Sequence, residues 1–248
     1  MVIKKKGGTV GELNAKHFIE KLKSLQSDDE LKKIQRYFKT GAGDYGEGDT
    51  FIGVRMGSIF ALAKEFADMP SKEIEKLLEN KIHEVRAGAV SIMDKASRNK
   101  NISDSRRKEF FDLYMKRHDR INNWDLVDLG CLYMTGSYLF DKPRDVLYKL
   151  ARSKDLWKRR SAILSTCYFI RKSDLNDTYK IAEILLHDKE DLIHKATGWM
   201  LRFAGDKDPK RLLKFLDQHA ATMPRTLLRN CIEKFDKKKR EHYLKIKE

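Results

Sequence analysis

The chain has 248 residues, enough for one sizeable core or a run of stacked repeats, and its 52 Lys and Arg against 37 Asp and Glu give a formal net charge of +15. So basic a balance is typical of nucleic-acid binders, but an anionic membrane surface or a merely well-solvated surface would need the same charges. The Lys and Glu enrichment that accompanies growth at high temperature would also look like this.

Membrane-spanning, secreted and metal-dependent classes find no support in the sequence. No apolar run approaches the roughly 20 residues that span a bilayer, and no hydrophobic stretch of a signal peptide follows the basic residues 1–8. Cys131, Cys167 and Cys231 lie far apart, and the seven histidines are scattered without metal-ligand spacing. We therefore expect a cytoplasmic protein with reduced thiols, no bound metal and no cofactor.

Helical periodicity dominates the apolar pattern along the chain. It predicts helices over 10–25 and 31–38, followed by a glycine-rich acidic segment over 40–49. This segment lacks the Lys-Ser/Thr ending of a phosphate-binding loop, so we interpret it as a turn-rich connector. Pro70 and Ser71 open another helix that ends at Asn80. Later helices are predicted over 83–98, 103–118, 124–139, 143–152, 155–171, 175–187, 190–205, 208–219 and 224–247. With no alternating β pattern and no low-complexity linker, we expect one all-α domain over 1–248.

A weak internal repeat marks the start of three of these helices. Three short segments, each with a cation ahead of small residues, align Arg86, Arg160 and Lys195. The cations are separated by 74 and then 35 residues, so one more unit lies between the first two, and that unit bears Trp124 and Asp128. A period of 35–37 residues with two helices per unit predicts a curved α-solenoid of HEAT-like repeats.

The aligned cations would form a row on the concave surface of such a solenoid. Lys158 and Arg159 add charge at the helix start that carries Arg160. A row of this kind can follow the backbone of a duplex. The competing interpretation is that these long side chains only snorkel at repeat junctions.

Trp124 and Asp128 have the spacing that places two side chains on one helix face, since four residues advance about 400°. A basic protein that holds one acid beside a large aromatic could hydrolyse a bond in a polyanion, and Trp199 supplies a second indole. The competing interpretation is structural, because a Trp at an apolar helix position is more often core. An Asp near a helix start often only complements the helix dipole, a role that Asp125 fits better than Asp128.

Three segments carry a resemblance to a known family. Residues 123–128, 157–164 and 194–202, in this order and at this spacing, resemble the HEAT-like DNA alkylation repair glycosylases of the AlkD type. Residues 37–40 with the following glycine loop, and residues 53–55, are similar to the N-terminal half of that family. The resemblance covers roughly residues 18 to 235.

The resemblance implies an enzyme of base excision repair that removes positively charged N3- and N7-alkylated purines from duplex DNA. By position it assigns the catalytic carboxylate to Asp128, the flanking aromatics to Trp124 and Trp199, and the backbone contact to Arg160. One departure is Asn123, where some members carry another aromatic. The expected partner is alkylated duplex DNA, and we expect the protein to act as a monomer.

The residue types fit that chemistry. Ordinary glycosidases use two carboxyl groups, one of which protonates the leaving group. A cationic alkylpurine leaves as a neutral base without a general acid, so one carboxylate can suffice. Two alternatives stay open: a non-catalytic HEAT-like module that binds DNA or RNA, and a protein-binding scaffold.

Overall fold

The computed structural model describes residues 12–38, 41 and 44–246, and these residues are helical throughout apart from turns and one isolated parallel bridge between Thr50 and Ile82. The expectations for residues 1–8 and for Val10 lie outside the described residues. The helices are α1 (Ala15–Lys23), α2 (Asp28–Tyr37), α3 (Met56–Glu65), α4 (Ser71–Leu78), α5 (His83–Ser97), α6 (Asp104–Lys116), α7 (Trp124–Gly130), α8 (Ser137–Leu139), α9 (Asp145–Ala151), α10 (Leu156–Arg171), α11 (Asn176–Ile184), α12 (Asp191–Lys207), α13 (Pro209–His219), α14 (Arg225–Cys231) and α15 (Lys237–Lys245).

The chain divides into two compact units, Met1–Ala96 and Ser97–Glu248. In the first unit, α1 packs on α3 and α4. Residues 40, 42 and 43 of the predicted connector lie outside the described residues; its described part has turns over 44–48, as expected, and the backbone that follows it is anchored by hydrogen bonds. The Glu84 carboxylate accepts the backbone N–H groups of Ile52 at 3.0 Å and Gly53 at 2.9 Å. Gly53 has φ of +78° and lies so close to α2 that an added Cβ would stand 2.2 Å from the Ser27 carbonyl oxygen.

In the second unit, four helical segments lie side by side. The segment of α7 and the π-helix that follows it packs on α10, α10 packs on α12, and α12 packs on α14. The helices between them in sequence, α9, α11 and α13, pack against this row from α10 to α12 as a second layer. The middle of the row is buried on all sides, since every residue from 160 to 166 of α10 is buried, whereas α12 and α14 keep exposed residues such as Lys195 and Arg229.

The predicted helix over 124–139 is interrupted by a π-helix over Cys131–Gly136. The Thr135 hydroxyl donates to the Gly130 carbonyl oxygen at 3.2 Å. At Gly136 the backbone passes so close to α10 that an added Cβ would stand 2.4 Å from the Ser165 carbonyl oxygen. The wider turn thus lies where this helix meets α10.

Gly136→Ala is expected to lower the free energy of unfolding by about 3 kcal/mol, because the new Cβ would meet backbone that cannot move aside. Urea denaturation followed by circular dichroism measures this. Gly57→Ala is the control, because an added Cβ there meets no described atom within 4 Å. It should be neutral or raise the free energy of unfolding by up to about 1 kcal/mol. Equal stability of the two variants would contradict the close packing at Gly136.

The prediction of one helix over 224–247 is wrong. Two helices, α14 and α15, replace it, with a break at 232–236. The Asp236 side chain accepts the backbone N–H of Lys239 at 2.9 Å and so caps a new helix. An Asp in this position offers the backbone a local partner that competes with continuing the first helix.

Candidate active site and nucleic-acid interface

An ion pair between Asp128 and Arg160 joins two helices of the row. Arg160 Nε donates to Asp128 Oδ1 at 2.9 Å, and Nη2 donates to Oδ2 at 3.1 Å. The third nitrogen, Nη1, donates to the carbonyl oxygen of Leu192 at 2.7 Å. One guanidinium therefore ties together α7, α10 and the first turn of α12. The Arg160 side chain is 6% exposed, whereas the Asp128 side chain keeps 24% of its surface open to solvent.

The start of α7 explains how Trp124 and Asp128 are presented. Asn123 is fully buried and caps the helix, with its side-chain oxygen accepting the Trp124 N–H at 2.8 Å. This capping role gives a physical reason for Asn123, at a position where some members of the resembled family carry an aromatic residue. Asp125 is buried in the first turn, and its carboxylate accepts the Leu126 N–H at 2.9 Å. Asp128, one turn further on, is the carboxylate that reaches the surface.

The protonation of Asp128 is set by two opposing effects. Burial raises the pKa of this carboxyl to about 6, while the charge and hydrogen bonds of Arg160 pull the pKa downward. The nearby Asp125 adds to the rise. Asp128 is therefore ionised at neutral pH but gains its proton in mildly acidic solution.

A buried polar cluster lies next to the ion pair in the chain, at Ser161. The Ser161 hydroxyl is 3.0 Å from the Tyr114 hydroxyl and 2.9 Å from His118 Nε2, and Cys131 Sγ donates to the Ser161 carbonyl oxygen at 3.7 Å. Burial lowers the pKa of His118 to about 4, so its ring is neutral. The cluster holds α10 to α6 and to the π-helix that follows α7. Sequence reasoning missed it, because its members are separated by 43 and 47 residues and form no motif.

The two indoles are placed on exposed faces but are partly covered. Trp124 lies one turn before Asp128 on α7, and Trp199 lies one turn after Lys195 on α12; both are half-buried. The Trp199 ring packs edge-to-face on Phe203, with centroids 5.5 Å apart. Phe203 was absent from the predicted site, although its spacing from Trp199 is the same four residues that singled out Trp124 and Asp128.

The alignment of equivalent positions between repeats differs from the prediction by one residue at Arg86. Arg86 and Arg159 each occupy the fourth position of their helix, and each donates to two carbonyl oxygens five and six residues earlier. His194 has the same helix position and contacts the carbonyl oxygen of Asp188 in the same way. The structural repeat thus aligns Arg86 with Arg159 and His194, and aligns Asp128 with Arg160 and Lys195.

This register corrects the expected row of free cations. Arg86 is buried, pairs with Asp49 and belongs to the first unit. Arg159 pairs with Asp188 through Nε at 2.6 Å. Both guanidinium groups hold loops against helix starts and are not free to meet a duplex.

The remaining cations differ in what they can offer a duplex. All three side-chain nitrogens of Arg160 are engaged inside the protein, so the expected phosphate contact is replaced by its pairing with Asp128. Lys195 is exposed, and its ion pair within the described part of the chain is with Asp191, one turn away on the same helix, at 2.6 Å. Such an exposed pair is worth little, so Lys195 can exchange it for a phosphate. Lys158 is half-buried in the first turn of α10.

A pocket of about 370 Å³ lies elsewhere in the second unit, between α12, α13 and the segment 231–239. Its lining mixes cations, carboxylates and apolar groups, and α12 contributes Arg202 and Gly205 to it. None of the candidate site residues Trp124, Asp128, Arg160, Lys195 and Trp199 lines this pocket.

The family now follows from comparison with known proteins. The sequence model of the DNA alkylation repair enzyme family matches residues 18–235, and the chain belongs to this family. A solved structure described as a predicted DNA alkylation repair enzyme from Enterococcus faecalis is similar, with a TM-score of 0.65 and 17% identity over 86% of this chain and 97% of that one. This likeness confirms the predicted all-helical, HEAT-like fold. No curated protein matches the sequence. None of the helices among the described residues is long and apolar enough to cross a bilayer.

Proposed function

We propose that this protein is a DNA glycosylase that excises cationic N3- and N7-alkylated purines from duplex DNA. The observation that carries the proposal is the Asp128 carboxyl, which is fixed by two hydrogen bonds from Arg160 and still has 24% of its side chain open to solvent. A rigidly held, partly desolvated carboxylate is a suitable group to face a developing positive charge.

The reaction needs only this one acid. The bond between C1′ of the sugar and the purine nitrogen breaks, and its electron pair neutralises the charge already on the alkylated base. Asp128 stabilises the oxocarbenium-like sugar that remains. A water molecule then attacks C1′, and Asp128 takes up its proton. Arg160 keeps the carboxylate ionised and oriented, which makes it a positioning residue in this proposal.

The aromatic residues would hold the lesion. Indole faces attract cations by about 0.5–2 kcal/mol each. Both indoles are half-buried: Trp124 lies one turn from Asp128, and Trp199 lies one turn from Lys195. This attraction favours a cationic base over a neutral one. Undamaged purines carry no such charge and would also need a general acid to leave.

The rate of excision is expected to fall in acid, because the reaction needs the ionised form of Asp128 and burial raises its pKa to about 6. Well below that pH the rate should drop about tenfold per pH unit, and above it the rate should level off. Single-turnover release of 7-methylguanine between pH 5 and 8, corrected for loss without protein, measures this. A rate that is flat across this range would remove Asp128 from the role of base.

A non-catalytic DNA-binding member of the same family is the second candidate. The observation in its favour is that both Asp128 oxygens already accept hydrogen bonds from Arg160, as in a purely structural ion pair. Such a protein would bind alkylated duplexes without releasing any base.

A further inference from the structure

Arg229 on α14 continues the series of residues that the repeat register aligns. It is the fifth residue of its helix, the position that Lys195 holds in α12 and Arg160 holds in α10. Arg229 is exposed, and among the described residues none forms a hydrogen bond or an ion pair with its side chain. It therefore differs from Arg160, which is buried and fully engaged.

Two contacts show that the exposed faces of α12 and α14 border each other. Near the helix starts, the Asp191 carboxylate is hydrogen-bonded by Lys195 and by the Thr226 side chain, and both lower its pKa. Further along, Arg202 of α12 forms an ion pair with Glu233, which follows α14.

Arg229 lies between these two contacts in the chain, three residues after Thr226 and four before Glu233. On α12, Lys195 and Trp199 lie between the partner residues Asp191 and Arg202. The helices also meet closely, since a Cβ at Gly198 would stand 2.5 Å from Asn230 Cβ. Arg229 and Trp199 therefore border the same surface.

Among the described residues, the other charged side chains named along this border each have a partner of opposite charge, whereas Arg229 has none. Asp191 is matched by Lys195, and Glu233 is matched by Arg202 with Lys234 at 3.5 Å. An unmatched exposed guanidinium can take a phosphate with two parallel hydrogen bonds at little desolvation cost.

We infer that Arg229 binds a backbone phosphate of the duplex, so that the bound strand extends from the Asp128–Arg160 pair across α12 to α14. This inference rests on the proposed function for the identity of the ligand. It adds a binding residue in a segment of the sequence that shows no motif.

Binding of an undamaged fluorescent duplex by wild type, Arg229→Ala and Arg229→Lys tests the inference, with affinity measured over a series of salt concentrations. Arg229→Ala should bind about 3–10-fold more weakly near 0.1 M salt, and the slope of log K against log salt should shrink by about 0.9. Arg229→Lys should keep most of the slope because it keeps the charge. Arg152→Ala is the matched control, since Arg152 is exposed at the end of α9 in the second layer.

Single-turnover excision at saturating protein should be the same in Arg152→Ala and wild type, because Arg152 lies on the second layer and has no part in the proposed contact. The inference would be overturned if Arg229→Ala kept the wild-type slope of log K against log salt. It would also be overturned if Arg152→Ala lost as much duplex affinity as Arg229→Ala. A wild type that binds duplex DNA but releases no base would overturn the proposed function alone, and the comparison of slopes would still decide the role of Arg229. A wild type that does not bind duplex DNA at all would overturn both.

Discussion

Replacing Asp128 by Asn is expected to lower the single-turnover rate of 7-methylguanine release from duplex DNA by about 10²–10³-fold, the usual cost of losing one preorganised electrostatic group. The amide has nearly the shape of the carboxyl but has no negative charge for the sugar cation and no base for the water. We expect a loss near the lower end of this range, because the glycosidic bond of a cationic purine is intrinsically weak.

The same variant should keep its fold and its affinity for the duplex. An Asn at this position can still accept a hydrogen bond from Arg160, and circular dichroism with binding measurements would show both properties. Asp145→Asn is the matched control, because it makes the same change in net charge at an exposed position on α9. Full excision by Asp128→Asn, with the control also active, would exclude Asp128 from the mechanism.

Replacing Arg160 by Ala is expected to change the pH dependence of excision as well as its rate. Arg160 pulls the pKa of Asp128 downward, so its removal should raise that pKa above the present value of about 6. More of the carboxyl is then protonated at pH 7, and the rate there should fall about tenfold. Breaking the buried pair should also lower the free energy of unfolding by about 3 kcal/mol.

The distinguishing result is recovery at higher pH. Excision by Arg160→Ala should rise again as the pH is increased, because the carboxylate is still present, whereas Asp128→Asn should stay inactive at every pH. Arg160→Lys keeps the charge but loses the two-point contact, so its profile should lie between wild type and Arg160→Ala. If the excision rate of Arg160→Ala falls at the same acidic pH as that of the wild type, Arg160 does not lower the pKa of Asp128.

Much of the fold could be predicted from the sequence because apolar spacing, caps and prolines act locally. The helices over 83–97 and 156–171 fall within one or two residues of their predicted bounds. The π-helix after Gly130 has no signal in the apolar spacing, and its last residue, Gly136, lies against the backbone of Ser165, which is distant in sequence. The break before α15 left a local signal in Asp236, which competes with the strong helical pattern on either side.

The contacts within the candidate site were harder to predict than the helices that carry it. The spacing of Trp124 and Asp128 predicted that both side chains lie on one helix face, and both are half-buried one turn apart on α7. The sequence could not show that Arg160 would meet Asp128, because the two are separated by 32 residues and by a helix of the second layer. The one-residue error in repeat register arose because Arg159 and Arg160 are adjacent cations, and only their carbonyl contacts reveal which one corresponds to Arg86.

The measurement that tests the central claim most directly is release of free base by the wild-type protein from a duplex that carries one 7-methylguanine, under single-turnover conditions at neutral pH. The proposed mechanism predicts free 7-methylguanine and an abasic site in equal amounts, and no release of guanine or adenine from the undamaged duplex. Tight, salt-sensitive binding of the same duplex with no base released above the rate without protein would contradict the mechanism and favour the non-catalytic member of the family.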